Sequence, residues 1–247
     1  MNHEIKAVIL AAGKGTRLQT EGCDLPKVMR QALGRPLLGY VLDALDFIPQ
    51  ENIVIVVGYK KEKVMDYFTD YTYAEQKEQL GTGHAVMCAA DSLAGDRGSV
   101  VICCGDMPLI RKETYAALVQ KHFEEDNDCT ILTGVTENNK NYGRIVRDAD
   151  GRFLRMVEEK DCTEEEEQIR EINSGVYVFK TEHLLPTLSG LGNNNAQGEY
   201  YLTDVPAILR EQGAKIGICC RELGSEIIGV NTVEQLEMVE DILRAQV

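Results

Sequence analysis

Short runs of apolar, β-branched residues recur along the chain at 7–10, 53–57, 100–104, 130–133, 175–179 and 216–220. Each predicts a strand. Between the early runs, "PLLGYVLDALDFI", "GHAVMCAADSLA" and "KETYAALVQKHFEE" carry apolar residues at helical spacing. This alternation of strand and helix predicts parallel βαβ units in a layered α/β domain. After about residue 135 the rhythm changes, and "NYGRIVRDADGRFLRMVEEK" reads as two short strands around the turn "DADG". The expected fold is a mixed, mostly parallel sheet with helices on both faces and a small antiparallel insertion covering one edge. "TVEQLEMVEDILRAQV" predicts an amphipathic closing helix. With no linker or internal repeat, residues 1–247 read as one domain, with a first part to about 135 and a second part from about 136.

Composition narrows the class. A chain of 247 residues, 44% apolar and 27% charged, buries a sizeable core unaided, and no run reaches membrane-spanning length. The start "MNHEIKAVIL" lacks the layout of a signal peptide and reads as the first strand of a cytoplasmic protein. Of eight cysteines, two pairs are adjacent in apolar runs, Cys103 with Cys104 and Cys219 with Cys220, and are expected to be small buried thiols. No CxxC and no Cys/His cluster has zinc spacing. The net charge of -14 excludes broad nucleic-acid binding while leaving room for small anions at a local concentration of cations. The acidic run at 164–167 reads as a solvated helix face.

Ligands of open parallel sheets sit outside the carboxyl ends of the strands. Three unusual stretches follow strands directly: "AAGKGTR" after the first, "EQKEQLGTG" after "YTYA", and "GDMPLI" after "VVICC". The first completes no dinucleotide fingerprint, because Leu18 stands where GxGxxG needs glycine, and no P-loop either. What remains is a small-residue turn able to approach a base or phosphate, with Arg17 and Lys27 as nearby cations; an ordinary turn with solvated basic residues is the alternative. Asp106, after a buried strand and a glycine, suits Mg²⁺ or caps the following helix. Gln76, Gln79, Gly81 and Thr82 offer amides, a hydroxyl and close backbone approach to a base edge, or else form a polar helix start with Thr82 as its cap. His84 is assigned no chemistry. Gly143, Glu158, Asn173 and Asn231 are turn or cap residues, or the neutral and acidic groups that a polyhydroxyl ligand needs.

The ordered motifs "LAAGKGTRL…LPKVM", "Q..EQLGTGHAV", "GDMPLI", "YGRIVR", "VEEKD", "EINSGVY", "NNNAQGEYYLTD" and "GVN" resemble the uridylyltransferase half of the bifunctional N-acetylglucosamine-1-phosphate uridylyltransferases, over nearly the whole chain. The resemblance implies a Rossmann-like nucleotidyltransferase core with a small antiparallel sugar-binding region. It implies that UTP and a sugar 1-phosphate give a UDP-sugar and pyrophosphate, with Mg²⁺. By motif, Leu10, Ala11, Ala12, Gly13 and Gly105 line the nucleotide, Gln76, Gly81 and Thr82 lie near the uracil, and Arg17 and Lys27 meet the phosphates. Asp106 and Asn231 hold the metal, and Gly143, Glu158 and Asn173 contact the sugar. The sugar phosphate is itself the nucleophile, so no serine, cysteine or histidine is needed to attack.

Three departures stand out: Cys104 where the family usually has tyrosine, a longer loop "QTEGCD", and "GVNT" in place of "GVNN". Another sugar or base, and a non-catalytic nucleotide-sugar sensor, are the alternatives. The family's C-terminal acetyltransferase β-helix has no counterpart before Val247, so acetyl transfer is not expected. Monomer and dimer both fit, since the family assembles largely through that part.

Overall fold

The computed structural model describes residues 4–18 and 24–246. Its strands are β1 (Ile5–Leu10), β2 (Gln31–Ala32), β3 (Arg35–Pro36), β4 (Ile53–Val57), β5 (Thr72–Glu75), β6 (Ser99–Cys104), β7 (Cys129–Val135), β8 (Arg144–Arg147), β9 (Phe153–Val157), β10 (Glu171–Lys180) and β11 (Ile216–Arg221). The helices are α1 (Leu37–Ala44), α2 (Lys61–Met65), α3 (Thr82–Cys88), α4 (Ala90–Leu93), α5 (Lys112–Glu124), α6 (Thr181–Ser189), α7 (Val205–Glu211) and α8 (Val233–Arg244).

The central sheet has the main order β11-β7-β10-β6-β1-β4-β5. β4, β1 and β6 are parallel neighbours, β5 continues parallel beyond β4, and β11 runs parallel to β7. β10 lies antiparallel between β6 and β7. The chain runs outward from β1 through β4 to β5, then returns to the other side of β1 for β6. This reversal puts a crevice at the carboxyl ends of β1 and β6, where ligands of such sheets bind.

Strand alternation splits the core into two faces. Ala7, Ile9, Ile55, Val101 and Cys103 pack with α1 and α5, whereas Val8, Val54, Val56, Val100 and Ile102 pack with α3, α6 and α7. Fully buried Leu38, Ile55 and Phe179 each contribute about 1.5–3 kcal/mol of apolar burial. A third cluster joins Leu18, Ala32, Leu37, Leu109 and Val230 to Leu236 and Val239 of α8. No helix among the described residues is long and apolar enough to cross a membrane.

Several expectations are corrected. The antiparallel part adjoins the β6 edge of the parallel strands through β10, as expected, but the β8–β9 hairpin reaches the sheet only through β10, by Ile172 and Arg144. "GHAVMCAADSLA" is two short helices broken at Ala89. Only Glu166 and Glu167 of the acidic run lie in a helical turn, a single 3-10 turn; Glu166 pairs with Arg155 and accepts the Thr163 N–H at 2.9 Å. Cys103 and Cys219 are buried, but Cys104 is half-buried at a strand end and Cys220 is exposed near the end of β11, an outer strand. The apolar pattern predicts neither α6 nor α7.

Candidate active site

Where the chain leaves β1, the Ala11 N–H donates to Val56 O at 2.8 Å and the Tyr59 N–H to Ala12 O at 3.3 Å. These bonds pin the first loop to the end of β4. At Gly13 nothing lies within 4 Å of a built Cβ, so the backbone there faces open space. Gly15 has φ +64°, and a Cβ would fall 2.7 Å from Lys27 Cβ. Glycine is needed there for the left-handed turn and to let the Lys27 stem pass. Leu18, the residue that spoils the dinucleotide fingerprint, is buried in the cluster beneath α8 and anchors the loop from below. Of the stretch "QTEGCD", residues 19–23 lie outside the described residues; Asp24 pairs with Lys60.

The loops after β1, β5 and β6 meet around a cavity of about 260 Å³. Leu10, Ala11, Ala12 and Gly13 line one side, Gln76, Gln79, Gly81 and Thr82 another, and Lys27, Cys104 and Asp106 the end beneath β6. Gly81 has φ +109°, and a Cβ would stand 2.6 Å from Tyr200 O. That contact belongs to a clasp: Tyr200 N donates to Leu80 O at 2.8 Å, Gly83 N to Tyr200 O at 2.8 Å, and Leu202 N to Thr82 Oγ1 at 3.1 Å. The motifs "EQLGTGHA" and "GEYYLTD" therefore hold each other, and Glu199 joins the lining. Thr82 is the first residue of α3 rather than its cap; its hydroxyl serves the Leu202 amide.

The charged centre lies at the Asp106 end. The Lys27 ammonium pairs with the Asp106 carboxylate and donates to Asn231 Oδ1 at 2.7 Å. Residues 27 and 231 are far apart in sequence, and the fold brings them together from three directions. Val230 N donates to Asp106 O at 2.9 Å, tying the β6 loop to the segment before α8. Thr232 caps α8 in a reciprocal box with Gln235, whose Oε1 also accepts the Asn231 N–H at 2.8 Å. This accounts for "GVNT": the position is an N-cap, a role that threonine and asparagine both fill.

A second, more polar cavity of about 210 Å³ shares Cys104 and Asp106 with the first. Gly143, Glu158 and Asn173 all line it. Glu158 Oε1 accepts from Thr203 Oγ1 at 2.9 Å, and burial pushes its carboxyl above the usual carboxylate range despite that bond. Asn173 Nδ2 donates to the buried Tyr177 hydroxyl at 2.6 Å, while its Oδ1 accepts the Gly175 N–H at 3.1 Å. Burial likewise pushes the Cys104 thiol well up, with Asp106 adding to the effect.

Two expected residues are not brought into either lining. Arg17 is exposed on the 3-10 turn Thr16–Leu18, whose inward position is occupied by Leu18. Gly105 is buried; its N–H donates to Leu10 O at 2.9 Å and a Cβ would press on Val28 at 3.2 Å, so it sets the path into Asp106. Tyr177, Thr203 and Glu199 are not singled out by the sequence, and His84, assigned no chemistry there, lies 3.2 Å from the Gln76 amide nitrogen. Only "GEYYLTD" carried a usable signal, because so polar and aromatic a stretch outside any strand must fix its backbone on something else.

Asp106 and Asn231 offer two hard oxygens converging on one cation, here the lysine ammonium. Among the described residues no group of three or more His, Cys, Asp or Glu is arranged for a metal. So sparse an oxygen set fits Mg²⁺, which keeps water and is completed by substrate phosphates.

Comparisons with known proteins bear on the family and the fold. The bifunctional protein GlmU of Clostridium perfringens (strain ATCC 13124) is 45% identical over 243 residues, covering 98% of this chain and 52% of that protein. Its counterpart from Caldanaerobacter subterraneus subsp. tengcongensis is 44% identical over 245 residues, covering 99% and 52%. The chain thus spans about half the length of the curated relatives it matches. A solved UDP-glucose pyrophosphorylase with UDP-glucose bound superposes with TM-score 0.79 at 18% identity, covering 99% of this chain and 100% of that one. A Bacillus anthracis structure described as a glucose-1-phosphate thymidylyltransferase gives 0.76 at 16%, covering 98% and 96%. Residues 6–223 match the family described as Nucleotidyl transferase, and the chain belongs to that family.

Proposed function

We propose that the protein joins UTP to N-acetylglucosamine 1-phosphate. A phosphate oxygen of the sugar phosphate attacks the α-phosphorus of UTP, the bond to the β-phosphate breaks, and UDP-N-acetylglucosamine and pyrophosphate form. The observation that carries this reading is the meeting of two cavities at Asp106 and Cys104, beside Lys27. One cavity offers backbone and amides suited to a nucleotide, the other a carboxylate and amide suited to sugar hydroxyls. In-line displacement needs two ligands aligned end to end and a cation where charge gathers.

In this reading Leu10, Ala11, Ala12, Gly13 and Gly105 shape the nucleotide site, with Gln76, Gly81 and Thr82 at the base. Lys27 neutralises the phosphates, and exposed Arg17 meets the outer end of the triphosphate. Gly143, Glu158 and Asn173 hold the sugar. Asp106 and Asn231 hold Mg²⁺, which when bound supplies further charge neutralisation. Arrival of the triphosphate draws the Lys27 ammonium from Asp106 toward phosphate oxygens. The seven described cysteines are all free thiols, in keeping with a reducing cytoplasm.

The test is a matrix of nucleoside triphosphates against sugar 1-phosphates with pyrophosphate release as readout. The pair UTP and N-acetylglucosamine 1-phosphate is expected to dominate. A different dominant pair would refute the substrate assignment, and binding of all pairs without turnover would favour a sensor.

A further inference from the structure

Gln76 is only 4% exposed, and the amide nitrogen of its side chain is held twice. Nε2 donates to Gly81 O at 3.0 Å and lies 3.2 Å from His84 Nδ1. An amide nitrogen only donates, so Nδ1 must accept, and the neutral ring carries its proton on Nε2, which faces Cys88 Sγ at 3.9 Å. Rotating the amide by a half turn would set two acceptors, Gln76 Oε1 and Gly81 O, against each other. The main chain is engaged as well: Gln76 N donates to Val57 O at 2.8 Å, and Gln76 O accepts from Gln79 Nε2 at 3.3 Å. Oε1 alone takes no hydrogen bond among the described residues. It is not among the buried unpartnered atoms, and Gln76 lines the first cavity, so this oxygen faces the ligand space.

We infer that His84 is a positioning residue for base choice: by accepting the second N–H of Gln76 it leaves only an acceptor facing the cavity. The inference rests on reading that cavity as the nucleotide site. An acceptor there pairs with a base whose ring nitrogen carries hydrogen, as N3 of uracil or thymine does. It repels cytosine, whose N3 is a bare acceptor of nearly the same size and place. In the absence of His84 only the Gly81 carbonyl still holds the amide and its second N–H is left unpaired, so the orientation that presents Oε1 is less strictly kept and the two pyrimidines become harder to tell apart. The Tyr200 ring lies 6.3 Å from the His84 ring, centre to centre, tilted by 35°.

The test compares UTP with CTP at saturating N-acetylglucosamine 1-phosphate for the wild type, His84→Leu, His84→Ala and His84→Asn. Leucine and alanine remove the acceptor, and melting temperature selects whichever folds; asparagine supplies a carbonyl near the place of Nδ1. The folded acceptor-less variant is expected to lose about tenfold in the UTP:CTP ratio of kcat/KM, with KM moving and kcat for UTP nearly unchanged. The asparagine variant is expected to recover most of it. An unchanged ratio, or an asparagine variant as impaired as leucine, overturns the inference. A wild type inert toward UTP would count against the functional reading instead, and calorimetric affinities for UTP and CTP in the same proteins would then decide the role of His84.

Discussion

Replacing Lys27 by methionine keeps the length of the stem and removes the charge, and two effects of opposite sign follow. In the free protein the ammonium lies between Asp106 and Asn231, with the Lys27 and Asp106 side chains only 16% and 14% exposed. In the proposed reaction the same charge faces the phosphates, and losing such a group is expected to lower turnover by about 10²–10³-fold. Metal binding to the free protein should move the other way. Two unit charges about 4 Å apart interact by about 4 kcal/mol at an effective dielectric of about 20, an upper bound. Even a third of that, about 1.4 kcal/mol, corresponds to roughly tenfold tighter metal once the competing ammonium is gone. The assay is Mn²⁺ titration without nucleotide, followed by electron paramagnetic resonance, beside steady-state turnover. Asp106 left without its partner also costs stability, up to about 3–5 kcal/mol, so the titration must be run well below the melting transition. Lost turnover with unchanged or weaker Mn²⁺ binding would refute the claim that the Lys27 ammonium competes with the metal for Asp106 and Asn231; retained turnover would refute its role at the phosphates.

Glu158→Gln should melt higher than the wild type at neutral pH while weakening sugar binding. Burial raises the folded-state value of Glu158, the Thr203 bond opposes the rise, and Asp204 and Asp161 add to it. The ionised carboxylate therefore costs stability that is absent below the unfolded value and grows as pH rises through the folded one. The melting advantage of the variant should vanish below about pH 4, and scanning calorimetry across pH checks this. Gly81→Ala forces a side chain at φ +109° to within 2.6 Å of Tyr200 O. It should lose about 1–3 kcal/mol and raise KM for UTP, whereas Gly13→Ala, with nothing within 4 Å, should leave the melting temperature unchanged. Glu226 is 4% exposed and accepts from Arg111 N, Nε and Nη2 and from Thr114 Oγ1. Glu226→Ala should cost about 3 kcal/mol by chemical denaturation and, by loosening the turn before Asn231, weaken Mn²⁺ binding.

The strands of the core were legible because β-branched runs such as "IVIVV" leave few alternatives, and the three loops could be placed on one edge from topology. Strand order was not legible. Nothing in "EINSGVYVFK" says that β10 enters antiparallel between β6 and β7, since its burial on both faces reads like any inner strand. The short helix α7 was hidden because it follows directly on the 3-10 turn Leu202–Asp204, within a stretch read only as a motif. At the site, the glycines and charges were visible, but their supports were not. In the sequence Leu18 stands out only as the residue that breaks the glycine fingerprint, whereas its part is to fill the core under α8. His84 carries no signal in the sequence, because a lone helix histidine says nothing of the amide it faces across the β5–α3 loop. The clasp between 80–83 and 200–202 joins segments more than a hundred residues apart, and only three-dimensional packing brings them together.

The central claim is that two ligands meet end to end beside Lys27 and exchange a nucleotidyl group. The most direct measurement is phosphorus NMR of the protein with UTP, N-acetylglucosamine 1-phosphate and Mg²⁺, with the products confirmed by mass spectrometry. The account predicts UDP-N-acetylglucosamine and pyrophosphate accumulating in equal amounts, with both signals lost in Lys27→Met. Release of orthophosphate in place of pyrophosphate, or no product from folded wild-type protein, would contradict it.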